Sequence, residues 1–271
     1  MRPDPRLLAL LAAGMLAGGG AQAACEPVAW AWQAGAEHSR WQEHADSGRR
    51  LLQERGTLAT LAGQATLACG GLRWEARLGV ADGRRGYQGE SSGGQPIRTR
   101  SQVRRLHWQA AALMPVPGWG AGWQVGAALG QARLWRDIAS AGPVLGYPER
   151  FDQWQAVALL DHQRPLQSGL ALQARLALGG GPAGRLLLQL PTADPAHLRL
   201  GASAVAQLDV TLLGGGAADA AAGWRIGLLW RQQRTGAGPA APLWRGTLLV
   251  GAAAQPAIRQ TDLGLQAGWQ W

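Results

Sequence analysis

The last eleven residues, TDLGLQAGWQW from Thr261 to Trp271, decide how the chain is read. Leu263, Leu265, Ala267, Trp269 and Trp271 occupy every second position and so share one face of a strand. Asp262, Gly264, Gln266, Gly268 and Gln270 share the other. One face is apolar, and the other is polar or bare backbone.

The same alternation recurs upstream. Leu72, Trp74, Ala76, Leu78 and Val80 oppose Arg73, Glu75, Arg77 and Gly79, and Leu106, Trp108, Ala110, Ala112 and Met114 oppose Arg105, His107 and Gln109. Trp123, Val125, Ala127 and Leu129 oppose Gln124, Gly126, Ala128 and Gly130, and Leu170 through Leu178 in steps of two oppose Gly169, Gln173 and Arg175. Leu198, Leu200, Ala202, Ala204, Ala206 and Leu208 oppose Arg199, Gly201, Ser203 and Gln207, and Trp224, Ile226, Leu228 and Trp230 oppose Arg225, Gly227 and Arg231. A soluble sandwich would carry Lys, Glu and Thr on its outer face. Here the polar face mixes Gly with Arg, which suits a cramped, hydrated interior, while the apolar face suits lipid, where only a closed barrel leaves no unpaired backbone.

The expected fold is therefore all-β, a closed antiparallel up-and-down transmembrane barrel. Ten strands are read at about 27–40, 51–68, 71–86, 97–114, 122–136, 150–162, 166–178, 196–211, 222–235 and 258–271. Arg185–Leu190 and Pro242–Val250 are apolar enough to be strands too, and if both cross the membrane the count is twelve. Short turns at Cys69–Gly71, Pro115–Ala121, His162–Leu166 and Gly214–Ala221 alternate with longer stretches at Trp41–Arg50, Tyr87–Pro96, Asp137–Glu149, Gly179–Pro195 and Gly236–Ala257. Short periplasmic turns and long outer loops are the habit of such barrels. Trp30, Trp32, Trp119, Trp123, Trp269 and Trp271 fall near periplasmic strand ends, and Trp41, Trp135, Trp154 and Trp244 nearer the outer ends, as two aromatic girdles would.

Composition agrees. The 271 residues include 40 Gly and 14 Trp with only 16% charged residues, and the mean hydropathy of −0.10 is that of a wall whose two faces average out. All 26 basic residues are Arg, giving a net charge of +9 that suits outer-leaflet lipid phosphates. No nucleic-acid recognition motif is present. Two arginines precede the short apolar run Leu7–Leu16, and small residues at Ala21 and Ala23 follow it, so 1–23 reads as a secretory signal peptide and 24–271 as the barrel domain. The apolar run is too short to span a bilayer as a helix. Export leads to the outer membrane of a Gram-negative envelope, with outer-membrane lipids and lipopolysaccharide as neighbours and a monomer as the expected state.

Cys25, just before strand one, and Cys69, in the first periplasmic turn, fall at one edge of the barrel, because the first two strands pair antiparallel. Adjacent strands lie about 4.8 Å apart, within the Cα separation a disulfide needs. A disulfide is expected there; a lipidated Cys25 is the alternative, although the preceding Gln-Ala-Ala lacks the apolar residue expected three places upstream.

The whole chain resembles small outer-membrane barrels. The terminal Leu263, Leu265, Ala267, Trp269 and Trp271 resemble the signal that the barrel assembly machinery recognises in its clients, with Trp271 where that pattern usually has Phe. Through GYPERF (Gly146–Phe151) and its flanking strands GWQVGAALGQARLW and LQSGLALQARLALGG, the chain also looks like the omptins, ten-stranded outer-membrane aspartate-dependent proteases. Omptin chemistry requires an Asp pair facing a His/Asp pair across the outer rim, so that a water between them is activated. Here the second outer loop has Asp82 and GYQGESSGG without a paired Asp, the fourth has GGGPAG, and the nearest substitute is Asp194 with His197.

Other chemistry finds little footing. His38 and Ser39 are adjacent and so face opposite ways, and Ser101 and His107 are about 20 Å apart along a strand, so neither is a Ser/His dyad. The His and Cys residues show no metal-ligand spacing, and no cofactor is implied. The remaining constellation is a set of lumen charges: Arg73, Glu75, Arg77, Arg105, His107, Arg175, Arg199, Arg225 and Arg231. They would either line a narrow anion-preferring path or fill a barrel too narrow to stay empty. Three functions follow: an envelope or surface barrel with a largely plugged lumen and no catalytic site, an omptin-like protease or other surface hydrolase, and a narrow anion channel. Asp82, Asp194 and His197 meeting at one rim would favour the hydrolase.

Overall fold

The structure is a computed structural model that describes residues 25–90, 94–167, 169–215 and 222–271; the leader read at 1–23 lies outside them. Fourteen strands follow in order: β1 (Ala29–His44), β2 (Arg50–Cys69), β3 (Leu72–Glu90), β4 (Pro96–Pro115), β5 (Trp123–Ile138), β6 (Tyr147–Pro165), β7 (Ala171–Gly181), β8 (Arg185–Leu188), β9 (Ala196–Arg199), β10 (Ser203–Gly214), β11 (Gly223–Thr235), β12 (Ala241–Arg245), β13 (Leu248–Ala253) and β14 (Ala257–Gln270). Ten of them, β1–β7, β10, β11 and β14, form a closed antiparallel barrel in which β1 pairs with β14 and β5 with β6. Closure reaches the last residue: Trp271 and Trp30 exchange two backbone hydrogen bonds, each 2.9 Å.

Alternation places the apolar set outside. Leu72, Trp74, Leu78, Val80, Leu263, Leu265 and Trp269 are between 36% and 59% exposed, although they are the most water-averse side chains of their strands. The eight steps from Leu263 to Trp271 cover about 26 Å of strand, or about 20 Å of height at a tilt near 40°. This belt is slightly shorter than the 25 Å typical of such barrels. A bare, continuous apolar band of this size has a stable home only in a bilayer.

Both described termini, the connections after β2, β4 and β6, and the facing ends of β10 and β11 lie at one end, and Cys25 and Cys69 are joined there by a disulfide with a Cα separation of 4.3 Å. The turn after β2 is just Gly70–Gly71, both in the left-handed region at φ 56° and 80°, which a residue with a Cβ enters at a cost. Engagement of the Cys25 sulfur in this bond leaves none for a lipid thioether.

At the other end the strands run on past the belt, and there the sequence reading needs four corrections. Neither Trp41–Arg50 nor Tyr87–Pro96 is a long loop: β1 continues to His44 and β2 begins at Arg50, while β3 continues to Glu90 and β4 begins at Pro96, so only five residues connect each pair. Trp41 is not in a girdle but faces inward, 3% exposed. Strand 196–211 is two strands, with β9 pairing with β8 on the upper part of β6 while β10 enters the barrel beside β7. Arg199 is not a lumen residue; on β9 it is exposed, while Leu198 and Leu200 are 2% exposed. The cause is common to all four. Above the bilayer the outer face meets water, so apolar side chains turn inward and polar ones outward. The two doubtful apolar segments, seen as β8 and as the β12–β13 hairpin, also lie above the belt, and the count is ten. Leu186, Leu188, Leu198, Leu200 and Leu243 from these additions pack with Trp41, Val103, Leu134, Ile138, Phe151 and Ile258 of the barrel interior as one apolar cluster.

Candidate functional site

The barrel interior carries three tiers of charge. In the periplasmic tier Arg175 on β7 binds Glu75 on β3 through both terminal nitrogens, at 2.6 and 2.8 Å, and donates from Nε to Asp161 on β6 at 2.9 Å. Arg73 reaches Glu75 at 3.0 Å and Asp161 at 2.5 Å, and Arg77 lies 3.5 Å from Glu75. The planar guanidinium fork matches a carboxylate edge, which makes this a cross-lumen clamp rather than a loose pairing.

In the middle tier Arg105 on β4 donates to both oxygens of Glu37 on β1, at 2.6 and 2.7 Å, and to Asp262 on β14 at 2.8 Å. Ser39 donates to Asp262 at 2.5 Å while accepting from Arg85 at 2.7 Å. The ring of His107 covers Gly79 on the neighbouring strand so closely that a Cβ there would sit 2.1 Å from its Cε1. The glycine is required by what lies over it.

In the outer tier Arg136 on β5 binds Glu43 and Glu149, each at 2.8 Å, and its Cζ lies 5.3 Å from the centroid of the Trp41 ring. Ser101 donates to Glu54 at 2.7 Å. The apolar cluster abuts this tier through Trp41 and Phe151, whose rings are 5.3 Å apart edge to face. The ion pairs of the three tiers offset part of the desolvation cost of holding these charges inside the barrel.

Of the lumen residues named from sequence, Arg73, Glu75, Arg77, Arg105, His107, Arg175, Arg225 and Arg231 lie on inward positions. Arg73, Glu75, Arg77 and Arg175 meet in one tier and Arg105 belongs to the next. Arg231 donates to Gln155 and Gln233 rather than to a carboxylate. Arg77, Arg225 and Arg231 border a cavity of about 100 Å³ in the periplasmic half. Glu37, Asp161 and Asp262, which anchor two of the tiers, and Glu43, Arg85, Arg136 and Glu149 were missed, although the parity of Gly35, Arg73 and Gly264 reaches Glu37, Arg85 and Asp262.

The rim residues do not assemble. Asp82 points outward from β3 and binds Arg104 at 3.0 Å and Gln102 at 2.8 Å. Asp194, in the β8–β9 connection, accepts from the Gly246 amide at 2.8 Å. His197 is exposed on β9 opposite Leu187. No hydrogen bond or ion pair joins these three among the described residues.

No protein-family model matches the sequence, and no curated protein matches it. Solved structures do. The chain is similar to the outer membrane protease OmpT from Escherichia coli with a TM-score of 0.58 and 9% identity, over 90% of this chain and 96% of that one. The chain has the fold of an outer-membrane β-barrel, and its apolar belt fits that membrane. It is also similar to the translocator domain of the autotransporter NalP from Neisseria meningitidis (TM-score 0.41, 12% identity, 97% and 93% of the two chains). An outer membrane channel from Pseudomonas putida F1 gives a TM-score of 0.39 at 12% identity, over 94% of this chain and 99% of that one.

Proposed function

We propose that this protein is an outer-membrane surface barrel that passes no solute and acts at its outer rim. The observation that carries the reading is the stack of cross-lumen ion pairs under an apolar cluster: Arg175 with Glu75 and Asp161, Arg105 with Glu37 and Asp262, and Arg136 with Glu43 and Glu149. A permeant ion would have to break at least one of these ion pairs in each tier and then pass a largely apolar outer cluster. Above the belt, the β12–β13 hairpin bares Trp244, Leu248, Leu249 and Val250, between 41% and 64% exposed, which suits contact with a surface partner.

The test is conductance of the refolded full chain in a planar bilayer. The reading expects no steady single-channel current; large, steady currents carried mainly by anions would replace it with the narrow-channel reading. That alternative has its own supporting feature, the arginine-bordered cavity, but the cavity lies below the middle tier. Replacement of Arg175, Arg105 and Arg136 together by Ser, which removes the central cation of every tier, is expected to open a measurable current.

A further inference from the structure

Directly above the belt, four adjacent strands present arginines outward. Arg40 (β1) and Arg55 (β2) are cross-strand partners, and Arg234 (β11) and Arg259 (β14) are another such pair. Arg50 joins them from the start of β2, and Arg50, Arg55 and Arg259 all bear on Arg40 as like charges. Two residues below Arg40 and Thr261 on the same outer faces, β14 carries Leu263, 58% exposed and the first residue of the apolar belt. The cluster therefore sits at headgroup height.

Some arginines elsewhere on the outer wall are neutralised, Arg104 by Asp82 and both Arg133 and Arg150 by Asp152, while Arg84, Arg98 and Arg100 on β3 and β4 have no ion pair among the described residues but are not gathered around one acceptor. In this cluster no carboxylate is paired with any of the five among the described residues. Instead the acceptors are amides: Gln53 Oε1 accepts from Arg50 at 3.0 Å, Arg40 at 3.1 Å, Arg55 at 3.2 Å and Gln42 at 3.4 Å, and the Gln232 amide oxygen accepts from Arg259 at 2.9 and 2.8 Å. An amide oxygen has two lone pairs and each guanidinium five N–H donors. The cluster is short of acceptors and holds like charges together, and what it lacks is an anion with several oxygens.

We propose that Arg40, Arg50, Arg55, Arg234 and Arg259 bind the phosphate groups of a phosphorylated glycolipid of the outer leaflet, the acyl chains of which lie along the belt below. Guanidinium forks pair bidentately with phosphate, and the step from arginine to exposed leucine on β14 matches the step from phosphate to acyl chain in the lipid. A freely diffusing phosphate would use the arginines but leave the belt contact unused. The proposal does not depend on whether the lumen conducts, so the conductance test and the test below fail separately.

The test uses the full chain refolded in detergent micelles, with rough-type lipopolysaccharide, the same lipid with its phosphates removed, and inorganic phosphate as probes. Binding is read by native mass spectrometry at low and moderate salt. The phosphorylated lipid is expected to bind at least about tenfold more tightly than the dephosphorylated one, weakening as salt rises. The variant R40Q/R55Q/R259Q is expected to lose that preference, while R104Q/R133Q keeps it. Equal binding of the two lipids to the unaltered protein would overturn the proposal whether or not the triple variant folds. So would an unchanged preference in the folded triple variant, or inorganic phosphate binding as tightly as the lipid.

Discussion

Arg105 ties together strands that are far apart in sequence, and its removal gives the sharpest energetic consequence of the lumen architecture. Glu37 and Asp262 are each 1% exposed, and Arg105 gives them three hydrogen bonds of 2.6 to 2.8 Å. Arg105→Met keeps most of the volume but leaves two buried carboxylates without their main cation. Breaking one side of a buried ion pair costs about 3–5 kcal/mol, roughly two to four decades in the unfolding equilibrium at about 1.4 kcal/mol per decade. Adding Glu37→Gln and Asp262→Asn removes the stranded charges, so the triple variant is expected to regain most of that loss, because a charge-free set of similar shape avoids the desolvation cost. Urea unfolding in micelles, followed by tryptophan fluorescence and by the folded and unfolded bands on gels, measures both. A cost below about 1 kcal/mol for Arg105→Met, or a triple variant no more stable than the single one, would refute the reasoning.

Further expectations follow from other contacts. Cys25→Ser with Cys69→Ser opens a loop with a sequence separation of 44, for which chain entropy gives about 4 kcal/mol as an upper value in a membrane barrel; an unchanged urea midpoint would show that the bond does not brace the barrel. Gly79→Val forces the His107 ring from its place and is expected to cost about 1–3 kcal/mol, read in the same assay. Deletion of Trp271 removes both hydrogen bonds to Trp30 and the terminal aromatic of the proposed assembly signal, so pulse-chase labelling is expected to show slowed appearance of the heat-modifiable band; normal kinetics would count against that role.

The membrane-embedded part of the fold was legible because a single rule, apolar outward at period two, governs it from Leu72 to Val80 and from Leu263 to Trp271. The rule reverses above the bilayer, and the reading went wrong there. Trp41 and Leu198 are apolar residues in regular strands, yet they point inward because Arg40 and Arg199 on the other face meet water. The bounds expected from sequence for β1, β3 and β6 accordingly stop three or four residues short of their outer ends, and the same reversal takes Arg199 out of the lumen. The lumen set was partly legible, since Arg73, Glu75, Arg77, Arg105 and Arg175 follow from parity. Their partners could not be read, because Arg175 and Glu75 meet across the barrel, 100 residues apart, and register around a closed sheet is set by every strand at once. The unpaired outer arginines were hidden for a related reason: sequence shows that Arg40 and Arg55 are charged, but only the pairing of β1 with β2 and β14 shows that no carboxylate stands beside them.

The claim on which all of this rests is that sidedness alternates along each strand and reverses in polarity at the top of the belt. A spin-label scan along β14, residues 258–270, in lipid vesicles tests it most directly. The account predicts oxygen accessibility at 263, 265, 267 and 269, access to a water-soluble relaxant at 259 and 261, and shielding from both at 258, 260, 262 and 264. Oxygen accessibility at the even positions, or water access uniform along the strand, would contradict it.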